Sequence, residues 1–392
     1  MNAAPPGRRE ALLEVARVFT RLGTTAFGGP AAHIALLEDE LVRRRGWVSR
    51  ERFLDLLGAA NLIPGPNSTE LAIHLGYVRA GWAGLLVAGA CFIVPAALMV
   101  GALAWAYVRF GALPDVEAIL AGVKPVVLVV VADALYRFAR TVVLRRSFDT
   151  RRKLEEAALV AAAVTLTLLG ANELLVLLGA GALSSLRVLR PRGTACVVGP
   201  ALGAAAGSLS FAAVPGAPAT AAGLFAVFVK IGSVLYGSGY VLLAFLRADL
   251  VERLGWLTDA QLLDAIAVGQ VTPGPVFTTA TFVGYLAAGP GGAAAATIGI
   301  FLPAFVLVAI SGPLVPRLRA SPAASAFLDG VNAASLALMA VVTLQLGRDA
   351  LASASAVAIA AVAAVLLLRF RVNSAWLVAG GAAAGWISAV AR

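Results

Sequence analysis

The sequence predicts an all-α polytopic membrane protein made of two homologous halves in inverted orientation, with re-entrant or broken helices in each half. Three observations predict this fold class: the composition, an internal repeat, and loop charges that change sign between the copies. The 392 residues are 60% hydrophobic and 13% charged, whereas an ordinary soluble domain carries about a quarter charged residues. Most of this chain is therefore expected to lie in lipid.

Apolar runs recur along the chain, and those at 83–108 and 116–135 exceed or match the roughly 20 residues that cross about 30 Å of hydrocarbon as a helix. The net charge of +10 comes mainly from arginines in short segments between such runs. This is the pattern of cytoplasmic loops, so we expect a lipid bilayer and no nucleic acid as partner. The two cysteines lie in apolar segments without CxxC spacing, and there are two histidines. We therefore expect no metal site and no cofactor.

An internal repeat extends over nearly the whole chain. The segment that begins at Phe19 recurs at Phe228, and at the same spacing Pro64–Pro66 recurs as Pro273–Pro275. One residue is then lost, and Gly122 matches Gly330. We predict an N-terminal repeat over residues 1–190, a connecting transmembrane helix and loop over residues 191–220, and a C-terminal repeat over residues 221–392.

Matching loops of the two repeats carry opposite charge. Residues 43–52 have five arginines and one glutamate, whereas their counterpart, 252–261, has one arginine and two acids. Residues 137–153 are strongly basic, and their counterpart, 345–361, is neutral. Because positive loops stay in the cytoplasm, the halves are expected to lie in the membrane in opposite orientations. A connecting helix over residues 194–214 would allow this inversion.

Glycine and proline interrupt two apolar segments of the first half at their middle. The segment 10–45 is broken at Gly28-Gly29-Pro30, and the segment 51–79 at Pro64-Gly65-Pro66. Both ends of each segment are expected in the cytoplasm, so each segment is predicted to be a re-entrant hairpin of two half-helices. Pro30 and Pro66 suit the first turn of a returning helix. Irregular backbone at membrane depth must be buried in protein or line a cavity.

Returning half-helices predict the chemistry of the site. Each begins at membrane depth, where its first amides and the positive end of its dipole favour an anion. The second repeat adds the break at Pro273-Gly274-Pro275 and the segment that begins at Tyr236-Gly237. Up to four helix N-termini are therefore predicted to meet around one ligand, and we expect a small oxyanion.

The same motifs resemble a known family. They are Phe27-Gly28-Gly29-Pro30 followed by His33, then Trp47, and the doubled Pro-Gly-Pro with Gly76 after the first copy. Over nearly the whole chain the sequence is similar to the chromate ion transporters in their long, two-half form. The resemblance implies efflux of chromate at the plasma (inner) membrane, proton coupling, and sulfate as a related oxyanion. The second repeat departs from the pattern, with Gly237-Ser238-Gly239 in place of Gly28-Gly29-Pro30. The oligomeric state stays open, a homodimer included.

Candidate site residues lie at the breaks, near them, or as isolated charges in apolar segments. The candidate substrate-binding residues are Arg21, Phe27, Gly28, Gly29, Pro30, His33, Asn61, Pro64, Gly65, Pro66, Lys124, Lys230, Tyr236, Gly237, Gln270, Pro273, Gly274 and Pro275, and Glu70 is the candidate for proton coupling.

Each polar candidate also has a structural explanation. The basic side chains could snorkel or form ion pairs, and Glu70 could satisfy a helix dipole. His33 could fill space in the core or form a structural hydrogen bond. Asn61 and Gln270 could form hydrogen bonds with backbone groups that the breaks leave without helical partners.

The alternative function is that of a membrane-embedded lipid pyrophosphate phosphatase with an inverted-repeat fold. Such an enzyme needs a nucleophile with an arginine clamp and acidic partners beside the break. Here Asn67-Ser68-Thr69-Glu70 follows the first break, and the first arginine after the break is Arg79. The sequence therefore favours a transporter over an enzyme.

Overall fold

The structure is a computed structural model that describes residues 7–27, 29–144, 150–189, 217–236, 241–319 and 321–390. The first repeat contains α1 (Arg8–Thr25), α2 (Gly29–Glu38), a π-helical turn (Asp39–Arg44), α3 (Arg50–Ala60), α4 (Asn67–Phe110), α5 (Pro114–Leu144), α6 (Thr150–Leu168) and α7 (Glu173–Leu189). The second repeat contains α8 (Ala221–Val234), α9 (Leu242–Leu246), a π-helical turn (Arg247–Arg253), α10 (Asp259–Val271), a 3₁₀ turn (Val276–Thr278), α11 (Thr279–Arg319), α12 (Pro322–Ala350), α13 (Ala354–Phe370) and α14 (Ser374–Val390).

Apart from the 3₁₀ turn before α11, the two repeats contain the same elements in the same order, which confirms the predicted all-α fold of two homologous halves. No strand occurs in the described ranges. The predicted connecting helix over residues 194–214 lies outside the described residues.

Within the described ranges, four helices are long and apolar enough to cross a membrane. They are the equivalent pair Asn67–Phe110 and Val276–Ile310, and the equivalent pair Pro114–Arg140 and Pro322–Ala350. Each exceeds the roughly 20 residues that a span requires. The prediction of a polytopic membrane protein is therefore confirmed.

The long helices α4 and α11 each contain a backbone break that divides them into a short and a long arm. Gly81 has φ 65° and ψ −151°, and Gly289 has φ 62° and ψ −156°. Glycine adopts this positive φ without the steric penalty that a Cβ atom imposes. The short arm of α4, residues 67–79, is thus the returning half of the predicted hairpin, and residues 82–110 form the following span.

The equivalent helices α4 and α11 run antiparallel to each other. Gly89 lies beside Phe305 and Gly101 beside Thr281, while the rings of Tyr107 and Phe282 are 5.2 Å apart. Thr281, on the short arm of α11, shares a hydrogen bond of 2.7 Å with Thr297 on the long arm. From Gly89 to Gly101 on α4, the neighbours along the long arm of α11 therefore fall in number from Phe305 to Thr297. The halves therefore have opposite orientations, as the loop charges predict.

Each repeat also packs its last helix against the other repeat. Helix α14 lies on α5, where Gly122 faces Gly381 and Gly385, and α7 lies on α12, where Gly330 faces Ala180. Small residues let helix backbones approach closely without a hydrophobic driving force between them. These two helix contacts hold the two repeats together.

One ion pair recurs in both repeats with its charges reversed. Glu38 binds Arg50 at 3.3 Å in the first repeat, and at the matching positions Arg247 binds Asp259 at 2.8 Å. Each pair joins the region around a π-helical turn to the start of the following helix. The attraction, and not either charge by itself, is common to the two copies.

Substitution of Gly381 by valine should destabilise the protein. A Cβ atom at Gly381 would lie 2.6 Å from Val126 Cγ2 and 2.7 Å from the Gly122 carbonyl oxygen, whereas one at Gly380 would meet nothing within 4 Å. Overpacking costs about 1–3 kcal/mol. We expect Gly381→Val to lower the midpoint of thermal unfolding in detergent by several degrees and Gly380→Val to leave it unchanged. Equal midpoints would contradict the close packing of α5 on α14.

Candidate functional site

Each Pro-Gly-Pro break is hydrogen-bonded to the end of the first helix of the other repeat, so that two equivalent backbone bonds connect the repeats. The Gly65 N–H donates to the Leu235 carbonyl at 2.7 Å, and the Gly274 N–H donates to the Ala26 carbonyl at 2.9 Å. Leu235 and Ala26 hold equivalent positions, each just after its helix, α8 or α1. We call this pair the crossed glycine bonds. They place the predicted breaks side by side where the two repeats meet.

Both glycines of these bonds occupy positions that exclude a side chain. Gly65 has φ 138° and Gly274 has φ 96°, a region that side chains disfavour. A Cβ atom at Gly274 would lie 2.5 Å from Ala96 Cβ and 3.0 Å from the Gly23 carbonyl oxygen, and one at Gly65 would collide with Glu70 Oε1. Backbone geometry and close approach both require glycine at position 274. At position 65 the backbone geometry alone requires glycine, because the end of the Glu70 side chain could move aside.

A small cavity lies between the half-helix N-termini that these breaks create. Its lining comprises Pro30 at the start of α2, Pro66, Asn67 and Ser68 at the start of α4, and Pro275, Val276 and Phe277 at the 3₁₀ turn. Its volume of about 20 Å³ is room for one water molecule. The cavity is therefore too small for a larger ligand in this structure, a state that we call closed, and such a ligand requires the cavity to widen.

The start of α4 supplies amides to this cavity. Asn67 and Ser68, the first two residues of the helix, line the cavity, and no side chain caps the helix at Pro66. The backbone N–H groups of the next two residues, Thr69 and Glu70, already donate to the Pro66 carbonyl. The first amides of a helix have no intrahelical acceptor and lie at the positive end of its dipole. Three of the four predicted N-termini meet here. The fourth would follow residues 237–240, which lie outside the described residues.

His33 connects the cavity wall to a crossed glycine bond. Its ring is buried, with Nε2 3.1 Å from the Ala26 carbonyl oxygen and Nδ1 3.4 Å from Ser68 Oγ. Ser68 is also buried and was not among the predicted residues. The sequence could have identified Ser68 by its position two residues after Pro66, in the first turn of the returning helix.

Glu70 lies against Gly65 and is fully buried. Within the described part of the chain, neither of its carboxylate oxygens has a hydrogen-bond partner. An unpaired charge is costly in such a place. The repeat does not duplicate this acid, because the matching residue is Thr279.

Arg21 and Lys230 form matched ion pairs. Arg21 binds Glu40, and Lys230 binds both carboxylate oxygens of Asp249 at 2.7 and 2.8 Å. The two acids hold equivalent positions in the two π-helical turns. Burial disfavours the charged form of Glu40, but Arg45 and Arg21 outweigh this effect and hold the pKa of Glu40 below its usual value. Neither Arg21 nor Lys230 lines the cavity.

Lys124 joins the two repeats. Its Nζ lies 3.6 Å from Asp264 Oδ2, and the Tyr107 hydroxyl donates to the same oxygen at 2.9 Å. Lys124 and Tyr107 belong to the first repeat, and Asp264 to the second. The structure thus places this lysine in an ion pair that holds α5 to α10.

The remaining candidates lie around the breaks. Asn61 accepts a hydrogen bond from Asn67 at 2.7 Å, across the first break. Gln270 lines a second small cavity with Val276 and Thr279. Phe27 is exposed, and Tyr236 directly follows the crossed bond at Leu235. Gly28 and Gly237 lie outside the described residues.

Antiparallel repeats with broken helices that meet at a central cavity are features of secondary transporters. The model of the chromate transporter family matches residues 13–185 and 222–386, one match in each repeat. The chain therefore belongs to the chromate transporter family.

Curated relatives agree with this family. A "Probable chromate transport protein" of Synechococcus elongatus is 34% identical, with 87% of this chain and 86% of the relative covered. The "Chromate transport protein" of Cupriavidus metallidurans is 33% identical over 95% and 92% of the two chains, and that of Pseudomonas aeruginosa 34% over 84% and 80%. No solved structure matches. These relatives are named as transport proteins, so they do not support the phosphatase alternative.

Loss of the Lys230 charge should destabilise the protein through Asp249. The Asp249 side chain is 4% exposed, and it is also bound by Arg253 at 3.0 Å. Loss of Lys230 should therefore cost less than the roughly 3–5 kcal/mol of a buried charge left without any partner. We expect Lys230→Gln to lower the midpoint of thermal unfolding and the double variant Lys230→Gln/Asp249→Asn to recover most of the loss. A single variant as stable as the parent would show that the ion pair contributes no stability.

Proposed function

We propose that this protein exports chromate from the cytoplasm across the plasma membrane and binds the anion at the crossed glycine bonds. The observation that carries the proposal is the meeting of three half-helix N-termini at one cavity between antiparallel repeats. The names of the curated relatives support chromate as the substrate.

The chemistry of the cavity suits a tetrahedral oxyanion. Chromate presents oxygens that accept hydrogen bonds in several directions, and helix N-termini offer N–H donors and positive potential from several elements. Among the described residues that line the cavity, none is a lysine or an arginine. An anion held by amides and dipoles is bound without a full opposite charge, and weaker binding favours its release. Sulfate has the same shape and charge and should compete.

The symmetry of the breaks suggests how access alternates. The closed cavity must open to one side of the membrane and then to the other. Each crossed glycine bond ties one repeat's break to the other repeat, and the two bonds are equivalent under the repeat symmetry. We propose that movement of the repeats about this point exposes the cavity alternately, as in other transporters with inverted repeats.

We also propose that Glu70 couples transport to protons. With no exposure and no hydrogen-bond partner among the described residues, a charged carboxylate would be strongly disfavoured in the closed state. Glu70 therefore keeps its proton while the breaks are closed. Because it lies against Gly65, opening of that break admits water and permits release of the proton.

Transport into everted membrane vesicles tests both parts of this proposal. Vesicles that contain the protein should accumulate labelled chromate when respiration acidifies their interior, excess sulfate should reduce uptake, and an uncoupler should abolish the accumulation. Glu70→Gln imitates the protonated acid, so it should keep exchange of chromate for chromate but lose accumulation driven by the gradient.

Vesicles from cells that lack the protein provide the control. Equal chromate uptake with and without the protein would contradict the transport function. Accumulation in Glu70→Gln vesicles equal to that of the parent would contradict proton coupling at Glu70 while leaving the transport function intact.

A further inference from the structure

The side chains at the cavity differ between the repeats although the backbone is repeated. Ser68 and Asn67 correspond to Phe277 and Val276, and His33 corresponds to Leu242. Among the described residues that line the cavity, the polar side chains therefore come from the first repeat. Within the described part of the chain, an oxyanion between these two sets of amides would meet hydrogen-bonding side chains from the first repeat.

The contacts of His33 determine which atom carries hydrogen. The Ala26 carbonyl can only accept, so Nε2, which lies 3.1 Å from it, must carry the hydrogen. In the neutral ring Nδ1 then has a lone pair, and the Ser68 hydroxyl donates to it at 3.4 Å. This separation is longer than that of an ordinary hydrogen bond. The hydroxyl therefore loses little when it turns elsewhere.

We propose that the Ser68 hydroxyl is a direct ligand of the transported oxyanion and that His33 is its positioning residue. The inference rests on the proposed function. When the anion enters, the hydroxyl turns its hydrogen from His33 Nδ1 toward an anion oxygen. No covalent bond changes in this step. The buried ring of His33, held edge-on against Phe92, keeps the serine at the cavity wall.

His33 also gives the first repeat a link that the second repeat lacks. The Ala26 carbonyl accepts from both His33 and Gly274, so one residue lies between the proposed anion ligand and a crossed glycine bond. In the second repeat the corresponding residue, Leu242, has no side-chain donor for the Leu235 carbonyl. Anion binding at Ser68 therefore acts on the Ala26–Gly274 bond through a chain of contacts found in the first repeat.

Chromate exchange by the purified protein in liposomes tests the role of Ser68. Loss of a hydrogen bond to a charged group should raise the KM of Ser68→Ala roughly tenfold or more, with a smaller change in maximal rate. Ser68→Thr retains the hydroxyl and should stay near the parent. Ser335→Ala removes an equally buried hydroxyl from α12, which does not line the cavity, and should not change KM. An unchanged KM in Ser68→Ala would overturn the assignment.

A double-mutant cycle tests the positioning role of His33. His33→Leu installs the residue of the second repeat and should raise KM, and His33→Leu/Ser68→Ala should be no worse than the more impaired single variant, because residues that act through one contact are not additive. Effects that multiply would overturn the positioning role. Should His33→Leu fail to fold, His33→Gln replaces it in the cycle, since its amide can still donate to Ala26.

Failure of the proposed function can be distinguished from failure of the inference about Ser68. A parent protein that exchanges no chromate would contradict the proposed function itself. Exchange by the parent together with an unchanged KM in Ser68→Ala would contradict this inference alone.

Discussion

The crossed glycine bonds are the constraint on which the arrangement of the site depends. Each satisfies one backbone donor and one acceptor at a break, where the chain has left its helix and water is scarce; unsatisfied groups there would cost several kcal/mol each. Each also requires a glycine, because both positions have a positive φ and Ala96 approaches Gly274 closely. The same two bonds bring the half-helix N-termini together. The hydrogen bonds that satisfy the backbone at the breaks therefore also form the cavity.

The two repeats have the same backbone arrangement, but they differ in the polar side chains near the cavity. The breaks, the kinks at Gly81 and Gly289, and the ion pairs of the π-helical turns are duplicated. Glu70 and Ser68 occur in the first repeat, and the corresponding residues of the second repeat are Thr279 and Phe277. Two-fold symmetry suits a site that must open to both sides of a membrane. In the proposed mechanism, departure from this symmetry lets one set of side chains bind the anion and carry a proton.

The sequence predicted the features that depend on local pattern. Glycine and proline marked the breaks, and loop charge marked the inversion, because both act within a few residues. Partners distant along the chain were not predictable. The carboxylate of Asp249 lies among other charges 19 residues from Lys230, so the lysine appeared isolated. Ser68 carries no charge, and its proposed role depends on His33, 35 residues away, which only folding brings near.

The most direct test of this account compares glycines at the breaks with glycines in open turns. Gly46 and Gly255 also have positive φ, but a Cβ atom at either would meet nothing within 4 Å. Chromate transport should be measured for Gly65→Ala, Gly274→Ala, Gly46→Ala and Gly255→Ala at equal amounts of membrane protein. We expect the break variants Gly65→Ala and Gly274→Ala to lose most of their transport and the turn variants Gly46→Ala and Gly255→Ala to keep it. Transport by the break variants equal to that of the turn variants would contradict this account.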